Sequence, residues 1–361
     1  MSAQPPWTEL HAQLHRTLRS RLLLPQTERL LVAVSGGQDS LCLIKLLRDL
    51  QPKWGWELAM VHCDHGWRSD SRANADYVES LAHHWNLPCH QARASEIGKS
   101  EAWARQWRYQ VLAETAGKFG YSHIVTGHTA SDRAETLLYN LIRGSGADGL
   151  QALVWRRALP LDSGTSGSQP SQLLSKPLWL VRPLLEMTRT QTEKFCQDQG
   201  LRIWQDSTNQ DLHYARNRIR QELLPYLQTH FNPQAEHALA QTAELLQAEV
   251  EFLEQAAAEL YQKALASAQW GECLTEPLTF PVLDRQILRE ASLALQRRVM
   301  RQILYRMLPQ APSFAQIEKL IGLISAPNRS QTDPFPGGLI AVVDHPWIRF
   351  EGGHNGRNHS N

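Results

Sequence analysis

The stretch 29–50, RLLVAVSGGQDSLCLIKLLRDL, constrains the fold of this chain more than any other part of the sequence. Its residues 30–34 form a short apolar run rich in branched side chains, which predicts a buried parallel strand. The run stops at Ser35, two glycines follow, and apolar residues then recur at helical spacing. A strand, a glycine turn and a helix in succession gather backbone N–H groups and the positive end of a helix around one concavity. The stretch therefore predicts a binding site for a phosphate.

The loop differs from two common phosphate-binding loops. It has neither the G-x-x-x-x-G-K-[ST] pattern of a Walker loop nor the G-x-G-x-x-G pattern of a Rossmann turn. Gly36 and Gly37 instead allow close approach of the backbone, and Ser35 and Ser40 add hydroxyl donors. A carboxylate at Asp39 would repel phosphates, so we expect it to hold a bridging Mg²⁺. The bland alternative is a turn whose Asp and Ser only cap a helix.

Strands and helices alternate over residues 29–143, which predicts an α/β fold with a doubly wound parallel sheet. A second apolar run, residues 58–63, ends in a polar segment that contains His62, Asp64, His65 and Arg68. Ligands of open α/β sheets bind at the carboxyl ends of the strands. This segment therefore indicates a site, with metal ligation by the histidines as the weaker alternative.

Two further segments place chemistry on predicted helices. Residues 100–119 read as a helix with Arg105 and Arg108 on one face, for which a solvated, salt-bridged face is the alternative. A strand near residue 125 leads into Gly127-His128, and the helix after it carries Asp132 and Glu135 three residues apart. Two carboxylates beside a phosphate site imply a cation between them.

The segment SGGQDS resembles the PP-loop of the N-type ATP pyrophosphatases, which split ATP between the α and β phosphates and transfer AMP to a carbonyl oxygen. Other segments resemble one branch of that superfamily, the tRNA(Ile)-lysidine synthetases. These segments are HCDHGWR at 62–68, EAWARQWRY at 101–109, TGHTASDRAET at 126–136, RGSG at 143–146, VRPLL at 181–185, DSTN at 206–209 and RNRIR at 216–220. The departures from the family pattern are Trp67 for Leu, Ser131 for Asp and Arg133 for Gln.

The resemblance implies a reaction in two steps. ATP adenylates the carbonyl oxygen at carbon-2 of the wobble cytidine in a tRNA(Ile) with a CAU anticodon. The ε-amine of free L-lysine then displaces AMP, and the tRNA changes from methionine to isoleucine identity. The implied cofactors are ATP and Mg²⁺, and the implied partners are this tRNA and free lysine.

The resemblance also implies roles for individual residues. The expected ATP-binding residues are Ser35, Gly36, Gly37, Gln38, Asp39 and Ser40, with Asp39 on Mg²⁺. The expected catalytic residues are Asp39, His65, Arg108, His128, Asp132 and Glu135. Asp132 and Glu135 are expected to hold the α-ammonium of lysine, and either His65 or His128 to act as the base. The expected tRNA contacts are Arg182, Arg216, Arg218 and Arg220, although salt bridges of the last three to Asp206 and Asp211 are an alternative.

The sequence also predicts a domain organisation. Residues 1–225 form the catalytic domain, in which the Ser-, Gly- and Pro-rich stretch 160–177 is a mobile insertion. A linker helix spans 226–270 and repeats leucine every seven residues, which fits either a helix packed within the chain or a coiled-coil homodimer. Residues 271–351 form a small α+β domain that binds tRNA, with helices at 281–308 and 313–325 and a hairpin near 339–350. The tail 352–361 is expected to be disordered.

Composition limits the remaining alternatives. The net charge of +1 provides no global basic field, but residues 285–329 contain eight Arg or Lys against Glu290 and Glu318, which is typical of a polyanion-binding surface.

No long apolar stretch is present, so no membrane span and a cytoplasmic location are expected. The five cysteines show no C-x-x-C pair, so we expect reduced, mostly buried thiols. That pattern disfavours the main rival, a PP-loop enzyme of tRNA thiolation, and a non-catalytic ATP-binding module would not require the carboxylate pair.

Overall fold

The computed structural model describes residues 7–66, 70–95, 100–159, 177–205, 211–265 and 280–352. The chain forms two compact units, Met1–Gln247 and Ala248–Asn361. Within the described residues, no helix has both the length and the hydropathy required to cross a bilayer. Several predicted features lie outside the described residues: Trp67, Arg68, the insertion up to residue 176, Asp206 and its neighbours, Cys273 and the tail from residue 353.

The first unit contains the α/β elements that the sequence predicts, with two additional strands. In chain order they are α1 (Glu9–Ser20), β1 (Arg29–Ala33), α2 (Gln38–Trp54), β2 (Glu57–Asp64), α3 (Ser71–His84), β3 (Cys89–Arg93), α4 (Glu101–Phe119), β4 (His123–Val125), α5 (Ala130–Ile142), α6 (Ala147–Leu150), β5 (Arg156–Leu159), β6 (Leu178–Val181), α7 (Arg189–Asp198), α8 (Ala215–Arg218), a π-helical turn (Ile219–Leu223) and α9 (Leu224–His230).

The sheet of this unit is doubly wound, as predicted. Its strand order is β3-β2-β1-β4-β6-β5. Leu31 of β1 pairs in parallel with Ala59 of β2 on one side and with Ile124 of β4 on the other. All neighbouring strands are parallel except β5, which runs antiparallel to β6 at the edge. The chain therefore reverses its winding direction at β1, and ligands of such sheets bind at this switch point.

Both faces of the sheet are covered by helices. Leu30 and Val32 of β1 lie in one core with residues of α1, α2, α3 and α7. Leu31, which points to the opposite face, lies in a second core with Leu112 and Ala116 of α4. Because a strand buried on both faces has no solvated side, β1 reads as a continuous apolar run.

A 30-residue helix, α10 (Ala235–Ala264), follows α9 and extends from the first unit into the second. Its fully buried positions along the heptad repeat are small residues, Ala243, Val250, Ala257 and Ala264. The leucines of the repeat are only partly buried. This burial arises within one chain, as the linker-helix alternative requires, and the homodimer stays a prediction.

The second unit is the predicted small α+β domain. Its further elements are β7 (Val282–Asp284), α11 (Arg285–Glu290), α12 (Leu293–Met307), α13 (Phe314–Ser325), β8 (Ile340–Asp344) and β9 (Trp347–Glu351). The strands form an antiparallel sheet in the order β7-β9-β8. The predicted hairpin and the capping box at Ser313 are confirmed.

The single helix predicted over 281–308 is wrong. Asp284 ends β7 and caps α11 by accepting hydrogen bonds from the N–H groups of Gln286 (2.8 Å) and Ile287 (3.4 Å). The helix then breaks at Ala291, and the amide of Gln296 donates to the carbonyls of Leu288 (3.0 Å) and Ala291 (2.9 Å) across the break. Side-chain capping therefore divides one apolar pattern into a strand and two helices.

Candidate active site

The PP-loop is the tight turn between β1 and α2. Gly36 has φ +85°, and a Cβ at this position would lie 2.4 Å from Asn74 Oδ1. The same Asn74 donates its Nδ2 to the carbonyl of Ser35 at 3.0 Å, and the N–H of Trp204 donates to the carbonyl of Gly36 at 2.9 Å. Only glycine satisfies both the left-handed backbone and the close packing at position 36.

The two serines of the loop hold its shape. The N–H of Ser35 donates to Ser40 Oγ at 3.1 Å, and Ser40 Oγ donates to the carbonyl of Gly37 at 2.9 Å. Gly37 is the N-cap of α2 and supplies no side-chain acceptor to the first turn of the helix. The predicted ATP-binding residues 35–40 thus form one continuous turn at a helix N-terminus, the arrangement that suits a phosphate. The side chain of Gln38 donates to the carbonyl of Arg189 at 2.7 Å.

Three carboxylates of the predicted site converge on one guanidinium group. Arg189, at the start of α7, donates Nη1 to Glu135 Oε1 at 2.7 Å and Nη2 to Asp132 Oδ1 at 2.7 Å. Its Nε lies 3.3 Å from Asp39 Oδ2, and Thr192 Oγ1 donates to the other oxygen of Asp39. The structure therefore brings the predicted Mg²⁺ ligand and both predicted lysine ligands together, around an arginine that the sequence analysis did not select.

A second arginine reaches the same cluster. Arg220 donates Nε to Glu135 Oε1 at 2.7 Å and Nη2 to Glu135 Oε2 at 2.9 Å. It lies in the π-helical turn, where the extra residue per turn changes the direction of side chains relative to a regular helix. Arg220, a predicted tRNA contact, thus forms an ion pair with Glu135 of the acidic site. Asp206, one of the two aspartates named as the alternative partner, lies outside the described residues.

The three other predicted tRNA contacts occupy different environments. Arg182 is 2% exposed and donates to the carbonyl of Val154 at 2.7 Å, so its burial contradicts a surface contact with RNA. Arg216 lies over the ring of Tyr139 at 5.6 Å, and Arg218 is exposed. Of the four, Arg218 has the accessibility that a phosphate contact needs.

Charge crowding shifts the pKa values of the acidic cluster. Burial and the neighbouring charge of Asp132 raise the pKa of Asp39 to about 6. Burial alone would raise the pKa of Asp132, but Arg189 and hydrogen bonds from Thr129 outweigh it and lower that pKa. Burial would lower the pKa of Arg189, yet the three carboxylates raise it. Asp132 and Glu135 thus form close ion pairs with Arg189, each at 2.7 Å. Asp39 lies farther from Arg189, at 3.3 Å, and its charge is incompletely neutralised.

The two candidate bases differ in their partners. His65 Nε2 accepts a hydrogen bond from Arg108 Nη2 at 3.1 Å, because a guanidinium group can only donate. His128 Nδ1 lies 2.9 Å from Thr126 Oγ1, and burial together with Arg182 lowers the pKa of His128 to about 3. His128 is therefore neutral at physiological pH.

Asp39 fits the expected role of a Mg²⁺ ligand. It lies in the first turn of α2 beside the PP-loop, and burial followed by the charge of Asp132 raises its pKa, so a bound cation would favour its ionised form. Mg²⁺ beside a nucleotide typically takes one or two carboxylates and completes its shell with phosphates and water. Within the described ranges no three His, Cys, Asp or Glu side chains converge as a metal site. His62 instead contacts the carbonyl of Val34 at 2.8 Å.

Two of the three departures from the family motif, Ser131 and Arg133, lie in the described residues and contact α10. Arg133 is 2% exposed and donates to Glu244 Oε2 at 2.5 Å and to Gln247 Oε1 at 3.0 Å. Ser131 Oγ donates to Glu236 and accepts from the N–H of Arg189 at 2.9 Å. Both altered residues therefore position α5 against the start of α10 and α7.

Comparison with known proteins identifies the family of this chain. Residues 7–227 match the family described as a PP-loop domain, and residues 283–345 match the TilS substrate binding domain. A tRNA(Ile)-lysidine synthase of Nostoc sp. is 60% identical over 350 residues, which cover 96% of this chain and 98% of that protein. The chain belongs to the tRNA(Ile)-lysidine synthase family.

Other members of the lysidine synthase family and one solved structure extend the comparison. The tRNA(Ile)-lysidine synthase of Synechocystis sp. is 49% identical over 95% of this chain and 98% of its own length. The chloroplastic enzyme of Zygnema circumcarinatum is 36% identical over 85% of this chain and 78% of its own. The U34-tRNA thiolase NcsA from Methanococcus maripaludis superposes with a TM-score of 0.52 at 15% identity, covering 66% of this chain and 78% of that one. At that identity the likeness shows the fold alone.

Proposed function

We propose that this chain is a ligase that attaches free lysine to carbon-2 of the wobble cytidine of a tRNA(Ile) with a CAU anticodon. Family membership over nearly the whole chain gives the class of reaction. The observation that carries the assignment of the amine site is the pair of carboxylates, Asp132 and Glu135, which hold a cationic group beside the PP-loop. An amine substrate needs such a pair, and the ATP chemistry of the domain needs the loop.

In the first step, the carbonyl oxygen at carbon-2 attacks the α phosphorus of ATP, and the bond to pyrophosphate breaks. We assign the N–H groups that follow Ser35 to the phosphates, because the glycines leave this turn open to an anion. Bound at Asp39, Mg²⁺ would neutralise charge on the phosphates. The product is an adenylated cytidine.

In the second step, the ε-amine of lysine attacks carbon-2 and AMP leaves with the oxygen. The carboxylates of Asp132 and Glu135 hold the α-ammonium, so that the neutral ε-amine is the end that reacts. The attacking nitrogen must lose a proton. His128 is neutral and lies next to the acidic cluster in the chain, but a pKa of about 3 makes it a weak base. His65 Nε2 already accepts a bond from Arg108, so the choice between the two histidines stays open.

The thiols of the chain argue against the thiolation alternative. Cys42 and Cys196 are buried, and Cys63 and Cys89 are partly buried. Burial raises the pKa of Cys63 and Cys89 to about 11 and that of Cys196 to about 12. A sulfur-transfer enzyme depends on reactive thiolates, and these four thiols are protonated at neutral pH.

The second unit supplies a surface for the tRNA in this proposal. It contains the segment that matches the TilS substrate binding domain and an excess of basic residues between Arg285 and Arg329. The cytoplasmic location and the homodimer remain predictions from the sequence.

The proposal is tested by incubating the protein with ATP, labelled L-lysine and a tRNA(Ile) transcript with a CAU anticodon. Label should become covalently attached to the tRNA, with AMP and pyrophosphate as the other products. Glu135→Gln should raise the KM for lysine far more than the KM for ATP, because it removes one anionic ligand of the amine. ADP and orthophosphate as the main products, or lysine that never joins the tRNA, would overturn the assignment.

A further inference from the structure

The position between Asp132 and Glu135 that an ammonium group needs is already filled by a side chain of the protein. Arg189 bridges the two carboxylates with two hydrogen bonds of 2.7 Å. Its guanidinium group stands where the amine of a substrate would stand. This placement affects how lysine binds, which goes beyond the proposed function and rests on lysine being the substrate.

Asp132 Oδ1 and Glu135 Oε1 are the two carboxylate oxygens that a single cation joins, and that cation is Arg189. Asp132 Oδ2 accepts from Thr129 N at 2.8 Å and from Thr129 Oγ1 at 2.9 Å, so only Oδ1 faces the cluster. Glu135 Oε1 accepts from both Arg189 and Arg220, and Glu135 Oε2 accepts from Arg220 Nη2. That Nη2 atom also lies 4.0 Å from Asp132 Oδ1. An ammonium group that bridges both carboxylates must therefore displace a guanidinium group.

Arg189 is the arginine whose contacts coincide with the bridge. Arg220 makes two hydrogen bonds to Glu135, whereas its approach to Asp132 is a longer contact of 4.0 Å. We infer that Arg189 determines lysine affinity and specificity: its side chain occupies the ammonium subsite as a tethered competitor, and lysine binds by taking its place.

The structure permits this exchange with a movement of one side chain. The backbone of Arg189 is fixed, since its N–H donates to Ser131 Oγ at 2.9 Å and its carbonyl accepts from Gln38 Nε2 at 2.7 Å. The side chain is 23% exposed, so part of it reaches solvent. Its Nε already lies 3.3 Å from Asp39. A displaced guanidinium group therefore stays beside Asp39 and the PP-loop, where phosphates of ATP would also attract it.

A tethered competitor lowers the apparent affinity for lysine by the fraction of time that the subsite is free. The test measures binding of L-lysine alone by isothermal titration calorimetry, without ATP or tRNA. Arg189→Ala should bind lysine about tenfold more tightly than the unaltered chain if the subsite is free roughly a tenth of the time. Arg189→Gln, which keeps the length but not the charge, should change affinity in the same direction. Arg189→Lys keeps a tethered cation, so its affinity should stay close to that of the unaltered chain.

Two controls separate this effect from others. Arg29→Gln removes an ion-paired arginine, 3.0 Å from Glu57, at the opposite end of β1, and should leave lysine binding unchanged. Methylguanidinium should compete with lysine in Arg189→Ala, where the subsite is vacant, and far less in the unaltered chain. Circular dichroism establishes that each variant is folded.

Unchanged or weaker lysine binding by a folded Arg189→Ala or Arg189→Gln protein would overturn the inference, because Arg189 would then position the carboxylates and not compete for them. If Arg189→Ala does not fold, the comparison of Arg189→Gln with Arg189→Lys decides in the same way. An unaltered chain that never attaches lysine to tRNA would overturn the proposed function itself, which is a separate measurement.

Discussion

Asp39 is the residue at which the competing demands of the site meet. It faces Thr192, Arg189 and the neighbouring Asp132, and burial raises its pKa to about 6 from an ordinary value of 3.8. The folded state thus binds this proton more tightly than the unfolded chain does. The folded protein therefore loses stability as the pH rises from 3.8 to about 6, the range over which Asp39 ionises. This loss is the consequence of placing a buried carboxylate beside the phosphates.

A pH dependence follows from this residue. Below pH 6 the carboxyl group is protonated and cannot ligate Mg²⁺, so kcat/KM for ATP should fall as the pH decreases through about 6. Asp39→Asn should abolish that limb of the profile and lower the rate by ~10²–10³. Initial rates of AMP formation as a function of pH test both statements. Asp76→Asn, an exposed residue of α3, is the control and should keep the profile. A limb that persists in Asp39→Asn would assign the titration to another group.

At the scale of elements, the site depends on how closely two loops approach each other. Gly127 lies between β4 and α5, and a Cβ there would lie 2.8 Å from the carbonyl oxygen of Asp39 and 3.0 Å from the N–H nitrogen of Ser40. These are backbone atoms of the first turn of α2, so they cannot rotate away. The loop that carries His128 and leads to Asp132 thus contacts the PP-loop only because residue 127 has no side chain.

Gly127→Ala should therefore separate the two halves of the site. We expect a loss of about 10²-fold in turnover, the size of effect that a displacement near 1 Å produces, and a loss of stability of about 1–3 kcal/mol from overpacking. Gly322→Ala is the matched control, because nothing lies within 4 Å of its Cβ position in α13. Alanine there should increase the free energy of unfolding by roughly 0.5–1 kcal/mol. Activity and denaturant unfolding of both variants measure the contrast. A Gly127→Ala enzyme with normal turnover would mean that the close approach is not needed.

The elements that the sequence predicts best are those with a strong local pattern. The strand, glycine turn and helix of residues 29–50 are confirmed, as is the α/β alternation up to residue 143. β5 was missed because Arg156 and Arg157 give no apolar alternation, and β7 because it is only three residues long. Asp284 and Ser292 could have indicated that the region after β7 contains two helices, since both residue types are good N-caps.

The role of Arg189 could not be read from local patterns. It follows Thr188, an N-cap with a capping box that accurately marks the start of α7. Its carboxylate partners, however, lie 54 and 57 residues away for Glu135 and Asp132, and 150 for Asp39. The sequence analysis correctly inferred that a cation lies between the carboxylates. Only the fold identifies a cation that the chain itself provides.

At the scale of the whole molecule, the basic character of the second unit is smaller than its sequence suggests. Arg297 pairs with Glu318 at 2.7 Å, and Lys319 with Asp333 at 3.2 Å. Arg298 and Arg301 both pair with Glu254 of α10. Four of the eight cations between residues 285 and 329 thus form ion pairs, two of them with the same carboxylate. Arg289, Arg306 and Arg329 are exposed and form no ion pair with a described residue, so we assign the polyanion-binding surface to these three.

This assignment predicts how salt affects tRNA binding. Each phosphate that a cation neutralises contributes about −0.7 to −0.9 to the slope of log affinity against log salt. Replacing Arg289, Arg306 and Arg329 together with Gln should make that slope shallower by about 2 to 3, one increment per lost contact. The control is the double variant Arg297→Gln with Glu318→Gln, which removes a compensated pair and leaves the net charge unchanged, so its slope should match that of the unaltered chain. Filter binding over a series of salt concentrations gives both slopes. Equal slopes for the triple variant and the unaltered chain would mean that these three arginines do not contact the phosphates. The arginines would then lie outside the tRNA interface, and the second unit would have a structural role.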